Sequence, residues 1–214
     1  MNYKDIRKEL VKNLRFENRI ITKEVEKAFL DTKRELFLPD NLKRYAYVDT
    51  PLEIGMGQTI SAPHMVAIMA EALDLKKGHK VLEIGSGSGY HAAIVAAIIS
   101  EKGHVYSIER FQRLSDFAKK NLKKAKVTNV TIETGDGSKG LSKYAPYDRI
   151  YVTCAAPSIP EPIIEQLKDR GKLLIPVGQM ICDLKLVEKV NDKIKTKNLG
   201  GCAFVPLVGE YGHK

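Results

Sequence analysis

The chain has 214 residues, 43% of them apolar, which is enough for one buried core, too much for a disordered polypeptide and too little for a membrane-embedded one. Its 35 Lys and Arg against 26 Asp and Glu leave a net charge of +9, but the basic side chains are interleaved with acidic ones, so a solvated surface is expected and nucleic acid is not expected as a partner. The longest apolar run, residues 92–99, is far short of the roughly 20 needed to cross a bilayer, and the charged first residues lack the apolar block of a signal sequence, so neither a membrane partner nor export is expected. Cys154, Cys182 and Cys202 are far apart and form no CxxC pair, which argues against a zinc site or a disulfide framework and fits a cytoplasmic location.

The first third reads as helical. Tyr3, Ile6, Leu10 and Leu14 recur at helical spacing over residues 2–14, and Thr22 is placed to cap a second helix carrying Val25, Phe29 and Leu30. Pro39 ends this layer and a short polar helix follows at 41–46. Residues 49–60, broken by Pro51, Gly55 and Gly57, read as an arm or loop. A helix then starts at Ser61, with Pro63 in its first turn and Met65, Ile68, Met69 and Ala72 as its inner stripe.

From Lys80 the pattern alternates. Strands are expected at 81–84, 105–109, 130–134, 148–153 and 172–177, with helices at 88–99, 111–124 and 160–168. Short apolar strands separated by helices predict a parallel sheet covered on both faces. The runs at 181–190 and 193–207 flank Asn191-Asp192, a hairpin-type turn, so the last strands are expected to be antiparallel. The fold class is therefore α/β: a doubly wound, mostly parallel, seven-stranded Rossmann-like sheet with an N-terminal helical layer and antiparallel C-terminal strands. A single domain is expected, with residues 1–77 as the helical cap and active-site segment and residues 78–214 as the core.

The most informative segment is VLEIGSGSGY at 81–90, a strand, a loop holding Gly85, Gly87 and Gly89, and a helix start. Glycines let the backbone turn sharply and approach a ligand, and the helix N-terminus presents free amides. Glu109 ends the next strand about 20 residues after Gly89, the interval at which an acid reaches ribose hydroxyls. A tight turn plus a strand-end charge is the plainer alternative, but loop and acid together support each other. The glycine spacing is G-x-G-x-G rather than the G-x-G-x-x-G of dinucleotide folds, and Glu83 ahead of the loop would repel a pyrophosphate but suit an ammonium. That favours S-adenosylmethionine over NAD. Asp136-Gly137 follows the strand at 130–134, where an adenine amine would lie, although Asp-Gly alone is more often a plain turn.

These segments resemble one family, the protein-L-isoaspartate O-methyltransferases, within the S-adenosylmethionine-dependent methyltransferases, over nearly the whole chain. GQTISAPHM at 57–65 resembles the family's signature segment, VLEIGSGSGY its cofactor loop and GDG at 135–137 its adenine-side loop, with YDRIYVTCAAP, LIPVG and FVPL in the family's order. The resemblance implies that Ser61 is the active-site serine, and that Thr59, Ile60 and His64 belong to the segment closing over cofactor and substrate. It also implies a cofactor pocket of Glu83, Gly85, Gly87, Ser88, Gly89, Glu109, Asp136 and Gly137. The implied reaction moves a methyl group from S-adenosylmethionine to the free α-carboxylate of L-isoaspartyl residues in damaged proteins and peptides, leaving S-adenosylhomocysteine and an ester whose cyclisation to a succinimide begins repair. Two positions depart from the family pattern: Arg170 replaces the first of two glycines, and Cys154-Ala155-Ala156-Pro157 varies a small-residue loop.

A carboxylate is already ionised at neutral pH and needs neither a general base nor a metal, so a catalytic His-Asp pair is not expected. Ser61 suits orientation of one carboxylate oxygen; as a plain helix N-cap it would have an ordinary structural reason instead. Cys154 is expected to be a small buried residue rather than a nucleophile. Residues 204–212 fit either an extended edge along the substrate cleft or a plain terminal strand. Two further readings are an RNA adenine methyltransferase and a noncatalytic binding module on the same fold. The first lacks an Asn-Pro-Pro-Tyr run and has few aromatics for stacking at 7%, and the second leaves Ser61 and the intact loop without a purpose.

Overall fold

The computed structural model describes residues 2–179, 181–191 and 193–214. Asn2 accepts from Lys4 N at the start of α1 (Tyr3–Phe16), and Thr22 accepts from Val25 N at the start of α2 (Lys23–Asp31), so each helix has a side-chain cap for an otherwise orphaned amide. The buried face of α1 is Arg7, Leu10, Val11 and Leu14; Ile6, expected in that stripe, lies one residue off it and is exposed. Two 3-10 turns, Arg34–Phe37 and Asp40–Tyr45, complete the layer.

Residues 49–60 are not simply a loop. They contain an antiparallel hairpin of β1 (Leu52–Gly55) and β2 (Gln58–Ile60). Its two-residue connection has φ of 56° at Met56 and 69° at Gly57, the left-handed pair that a type I′ turn requires. The glycines that break the sequence pattern are thus the turn itself. In α3 (Pro63–Ala72), Pro63 is the first helical residue and Ala62 is the N-cap, so capping does not explain Ser61. Asp49 serves that helix end instead, its Oδ1 accepting from His64 N at 2.9 Å. The helix is apolar on most of its circumference, and packing selects Val66, Ala67, Met69 and Ala70 as the buried face, with Met65, Ile68 and Ala72 only half-buried.

The main sheet comprises β3 (Lys80–Ile84), β4 (His104–Glu109), β5 (Val130–Thr134), β6 (Tyr147–Val152), β7 (Leu167–Gly178), β8 (Cys182–Val190) and β9 (Lys193–Cys202), in the order β5-β4-β3-β6-β7-β8-β9. The first five strands in that order run parallel, and β8 and β9 are antiparallel additions. The expected seven-stranded, mostly parallel α/β sheet is therefore what forms. In the turn between the last strands Asn191 has φ of 49°, while Asp192 lies outside the described residues. Residues 203–207 do not prolong β9; they run beside the loop after β6, with Ala155 and Pro206 forming a parallel bridge.

Helices α4 (Tyr90–Ile99) and α5 (Gln112–Lys124) match the expected positions, but α6 (Glu161–Glu165) is shorter than the 160–168 expected. Leu167 already pairs with Tyr147 as part of β7, and the ladder shifts register before Arg149 meets Lys172. Along each strand alternate residues face opposite sides. Tyr151 and Leu174 join the core under α1–α5, whereas Ile150 and Leu173 join the core on the other face. Strand order reverses about β3, whose parallel neighbours β4 and β6 lead to opposite sides of the sheet, and the carboxyl ends of β3 and β6 are where an open α/β sheet leaves a crevice. Among the described residues no helix is long and apolar enough to cross a membrane.

Arg170 has φ of 58°, a conformation that strains a residue with a Cβ, and its side chain is 86% exposed. Arg170→Gly is expected to leave stability unchanged or raise it by up to about 1 kcal/mol. Gly171→Ala is expected to lower it by about 1–3 kcal/mol, because the new Cβ would lie 2.7 Å from Leu167 Cγ and 2.8 Å from Lys168 O. Thermal denaturation of the two variants tests this, and the reverse order would contradict it.

Candidate active site

The strand-to-helix corner after β3 is built by the absence of side chains. Gly85 has φ of 94°, and a Cβ there would lie 2.3 Å from Thr153 Oγ1, the hydroxyl that donates to Gly85 O at 2.7 Å. Gly89 caps α4 with φ of 85°, and a Cβ would press on Ala118 and Leu122 of α5 at 3.3 Å each. Glu109, at the end of β4, binds the corner from the side. Its Oε2 accepts from Gly87 N at 2.9 Å and its Oε1 from Phe111 N at 3.0 Å.

Glu83 sits deeper and has no exposed surface. Tyr151 OH donates to its Oε1 at 2.8 Å and Ser107 Oγ to its Oε2 at 2.5 Å, while Ser86 Oγ lies 2.6 Å from Ser107 Oγ. Burial pushes its pKa up to about 8 despite those hydrogen bonds, and the nearby charge of Glu109 acts in the same direction.

A second wall comes from distant parts of the chain. The hairpin brings Thr59, Ile60 and Ser61 to the corner, and Ile54 of β1 closes on Gly87, whose Cβ would lie 3.3 Å from Ile54 Cδ1. Residues 205–208 are held alongside by two backbone hydrogen bonds, from Ala155 N to Val205 O and from Leu207 N to Ala155 O, each 2.7 Å. Between these walls lies a cleft of about 240 Å³.

Of the residues singled out in the sequence, Thr59, Ile60, Ser61, Glu83, Gly85, Gly87, Ser88, Glu109 and Gly137 line this one cleft. Gly89, Asp136 and His64 are outside its lining. Gly89 packs on α5. Asp136 Oδ1 accepts from Ser138 N at 2.9 Å and Oδ2 from Glu210 N at 2.9 Å, so its carboxylate fastens the C-terminal segment. His64 pairs with Asp49 at 3.0 Å, beside the start of α3.

Other lining residues carried no role in the sequence reading: Tyr90, His91, Phe111 and Thr153. Tyr90 and His91 follow the glycine loop directly, and Phe111 follows Glu109 by two positions, so nearness to the motifs was the available signal. Arg34 had no such signal. It has no exposed surface, its guanidinium lies 4.8 Å from the centroid of the Tyr90 ring, and burial lowers its pKa. Burial also pushes the Cys154 thiol pKa upward, which keeps it protonated and poorly nucleophilic.

The crevice thus offers two carboxylates at adjacent strand ends, apolar surface from Ile108 and Phe111, backbone amides at a helix start, and the hydroxyl residues Thr59 and Ser61 from the hairpin side. Acceptors of this kind suit ribose hydroxyls and an ammonium group, and the apolar surface suits a flat base. Among the described residues no group of three or more His, Cys, Asp or Glu side chains is arranged to hold a metal ion.

The family described as protein-L-isoaspartate(D-aspartate) O-methyltransferase matches residues 5–212. Protein-L-isoaspartate O-methyltransferase 2 of Archaeoglobus fulgidus is 53% identical, over 100% of this chain and 98% of its own. The Pyrococcus horikoshii protein-L-isoaspartate O-methyltransferase is 54% identical, over 96% of this chain and 94% of its own. A solved protein-L-isoaspartate O-methyltransferase superposes with a TM-score of 0.89 at 31% identity, covering 96% of this chain and 67% of its own. A Plasmodium falciparum structure described as a beta-aspartate methyltransferase, in complex with S-adenosyl-L-homocysteine, superposes with a TM-score of 0.84 at 28% identity, covering 97% and 99%. On sequence and fold together, this chain belongs to the protein-L-isoaspartate(D-aspartate) O-methyltransferase family.

Proposed function

We propose that the cleft seats S-adenosylmethionine against Glu83, Glu109 and the glycine corner, and an L-isoaspartyl peptide beside Ser61 and residues 205–208. The chain is a repair methyltransferase for the free α-carboxylate of L-isoaspartyl residues. The observation that carries this reading is the meeting in one cleft of Ser61 with both acidic strand ends, on a chain of this family.

When bound, the donor supplies an electrophilic methyl on a positively charged sulfur. As the new carboxylate O–C bond forms, the S–C bond breaks and its electron pair returns to sulfur, so no proton moves and no general base is needed. The residues then have two tasks. Ser61 donates its hydroxyl hydrogen to one carboxylate oxygen and leaves the other aimed at the methyl. Ile60, Val66 and Leu207 exclude water from the reacting oxygen. Alignment and desolvation of this kind together supply several kcal/mol, about enough for a large rate gain without acid–base chemistry.

Glu109 keeps free lone pairs beyond the two amides it already accepts, and these are the acceptors for ribose hydroxyls. Glu83 is the counter-charge for the donor's ammonium group. Gly137 and Phe111 border the space for the base. In the same reading Gly89 and Asp136 act indirectly, Gly89 by letting α5 pack on the corner and Asp136 by fastening the segment after residue 208. His64 acts through Asp49 on the start of α3 and hence on the placement of Ser61. The helical layer (1–77) and the core (78–214) act as one domain, a reading supported by the hydrophobic cluster that runs from Leu10 through Ile94 to Leu184. The odd cysteine count favours a reducing cytoplasm as its compartment.

Ser61→Ala is expected to lower kcat about 10- to 100-fold while changing the Kd for the donor less than about twofold, and Glu109→Ala to raise that Kd more than about tenfold. Equilibrium binding and methylation of an isoaspartyl peptide, with its aspartyl twin as control, check both; equal loss of donor affinity in the two variants would overturn the assignment.

Glu83 generates a pH dependence. With a folded-state pKa of about 8 it is largely protonated at pH 7, and an incoming ammonium favours its anion, so binding releases a proton. Donor affinity is expected to rise with pH up to about 8 and then level, with proton release seen by calorimetry in two buffers; Glu83→Gln should remove the dependence. For the free protein the sign is opposite. Because the unfolded carboxyl ionises in the ordinary range, Glu83 makes folding stability fall as pH rises towards about 8, and Glu83→Gln should melt higher than the parent at pH 9.

A further inference from the structure

His91 lines the cleft yet plays no part in the reaction as derived above. It is the second residue of α4, it is 7% exposed, and neither ring nitrogen has a hydrogen-bond partner. Burial pushes its pKa down to about 3, so at neutral pH the ring is uncharged and carries one N–H and one lone pair, both unused. Buried polar atoms are almost always paired, and an orphaned pair of nitrogens on the wall of a binding cleft points to a partner that arrives with the ligand.

The position of the ring identifies which end of the ligand that is. The imidazole packs against Tyr151 at a tilt of 39° with centroids 4.4 Å apart, and Tyr151 OH donates to Glu83 Oε1 at 2.8 Å. His91 is therefore one ring away from the carboxylate assigned to the donor's ammonium, and it follows the glycine corner directly in the chain. Ser61 and residues 205–208, which border the peptide, come from other elements. An amino-acid end carries a carboxylate beside its ammonium. Glu83 serves the cation and would repel the anion, whereas a neutral imidazole N–H can donate to the anion without adding charge.

We propose that His91 is a binding residue for the amino-acid end of the methyl donor, its ring N–H donating to the donor's α-carboxylate while Glu83 accepts from the ammonium. This rests on the reading of the cleft as the S-adenosylmethionine site. It makes Glu83, Tyr151 and His91 one recognition unit that distinguishes a ligand with a methionine-type end from a bare thioether nucleoside.

The test measures equilibrium binding of S-adenosylhomocysteine and of 5′-methylthioadenosine, which keeps the nucleoside and thioether but lacks the amino-acid end. Parent, His91→Leu and His91→Asn are compared, with thermal melts to verify folding. His91→Leu is expected to weaken S-adenosylhomocysteine about tenfold and methylthioadenosine less than about twofold, and His91→Asn, which keeps an N–H donor, to recover part of the loss. In the parent protein, the His91 imidazole 15N resonances should move on adding S-adenosylhomocysteine and stay in place with methylthioadenosine. This readout stands even where His91→Leu fails to fold. Equal weakening of both ligands, no weakening, unmoved resonances, or an effect confined to KM for the peptide would overturn the proposal. A parent protein that binds S-adenosylhomocysteine with the His91 response but methylates no isoaspartyl peptide would refute the proposed function and leave this contact intact.

Discussion

Two backbone amides, those of Gly87 and Phe111, converge on the single carboxylate of Glu109, and this convergence ties the loop after β3 to the loop after β4. Hydrogen bonds to a charged acceptor contribute about 1.5–3 kcal/mol each, more than typical neutral ones, and here they act between two strands that already run in register. The loop cannot fold back over the sheet while the carboxylate holds it, so the crevice at the switch in strand order stays open. Glu109 itself is 5% exposed, which leaves its remaining lone pairs directed into the crevice rather than to bulk water.

Beneath that floor lies a buried polar ladder, Ser86–Ser107–Glu83–Tyr151, flanked by apolar core residues such as Leu82, Ile84 and Ile108. Such a ladder is costly unless each member is paired, and pairing makes it stiff. His91, whose ring nitrogens are unpaired, packs at a tilt against Tyr151 at the end of it. In the proposed reading, stiffness there matters because transfer in a straight line between three atoms depends on holding the donor's sulfur still.

The Ser61 side of the cleft depends on the N-terminal layer. Arg7 Nη1 donates to Tyr47 OH at 3.1 Å, and Tyr47 in turn donates to Glu35, so α1 is joined to the segment that leads into the hairpin. Glu71 of α3 accepts from Ile21 N at 2.7 Å and Thr22 N at 2.9 Å, joining α3 to the start of α2. Ser61 lies between the hairpin and α3 and takes its position from both. A change in this layer is therefore a change in the angle of one hydroxyl, far from the glycine corner in sequence.

The amino-acid order by itself determined the parts governed by short-range rules: the Thr22 cap, the alternating strands and helices from Lys80, the glycine corner with Glu109 at its interval, and the antiparallel end. Periodicity and steric freedom act over a few residues, so they can be read along a line. The faces of α1 and α3, the hairpin hidden by its own glycines, the early start of β7 at Leu167 and the departure of residues 203–207 from β9 were decided by tertiary packing. The same holds in the cleft. Ser61, Glu83, Gly85, Gly87 and Glu109 were legible because they lie in motifs, whereas Asp136, His64 and Gly89 turned from the cleft to other partners, and His91 had only its nearness to the glycine loop as a signal. Which way a side chain faces depends on neighbours up to tens of residues away, and burial, which sets the charge of Glu83 and His91, exists only once the walls have closed.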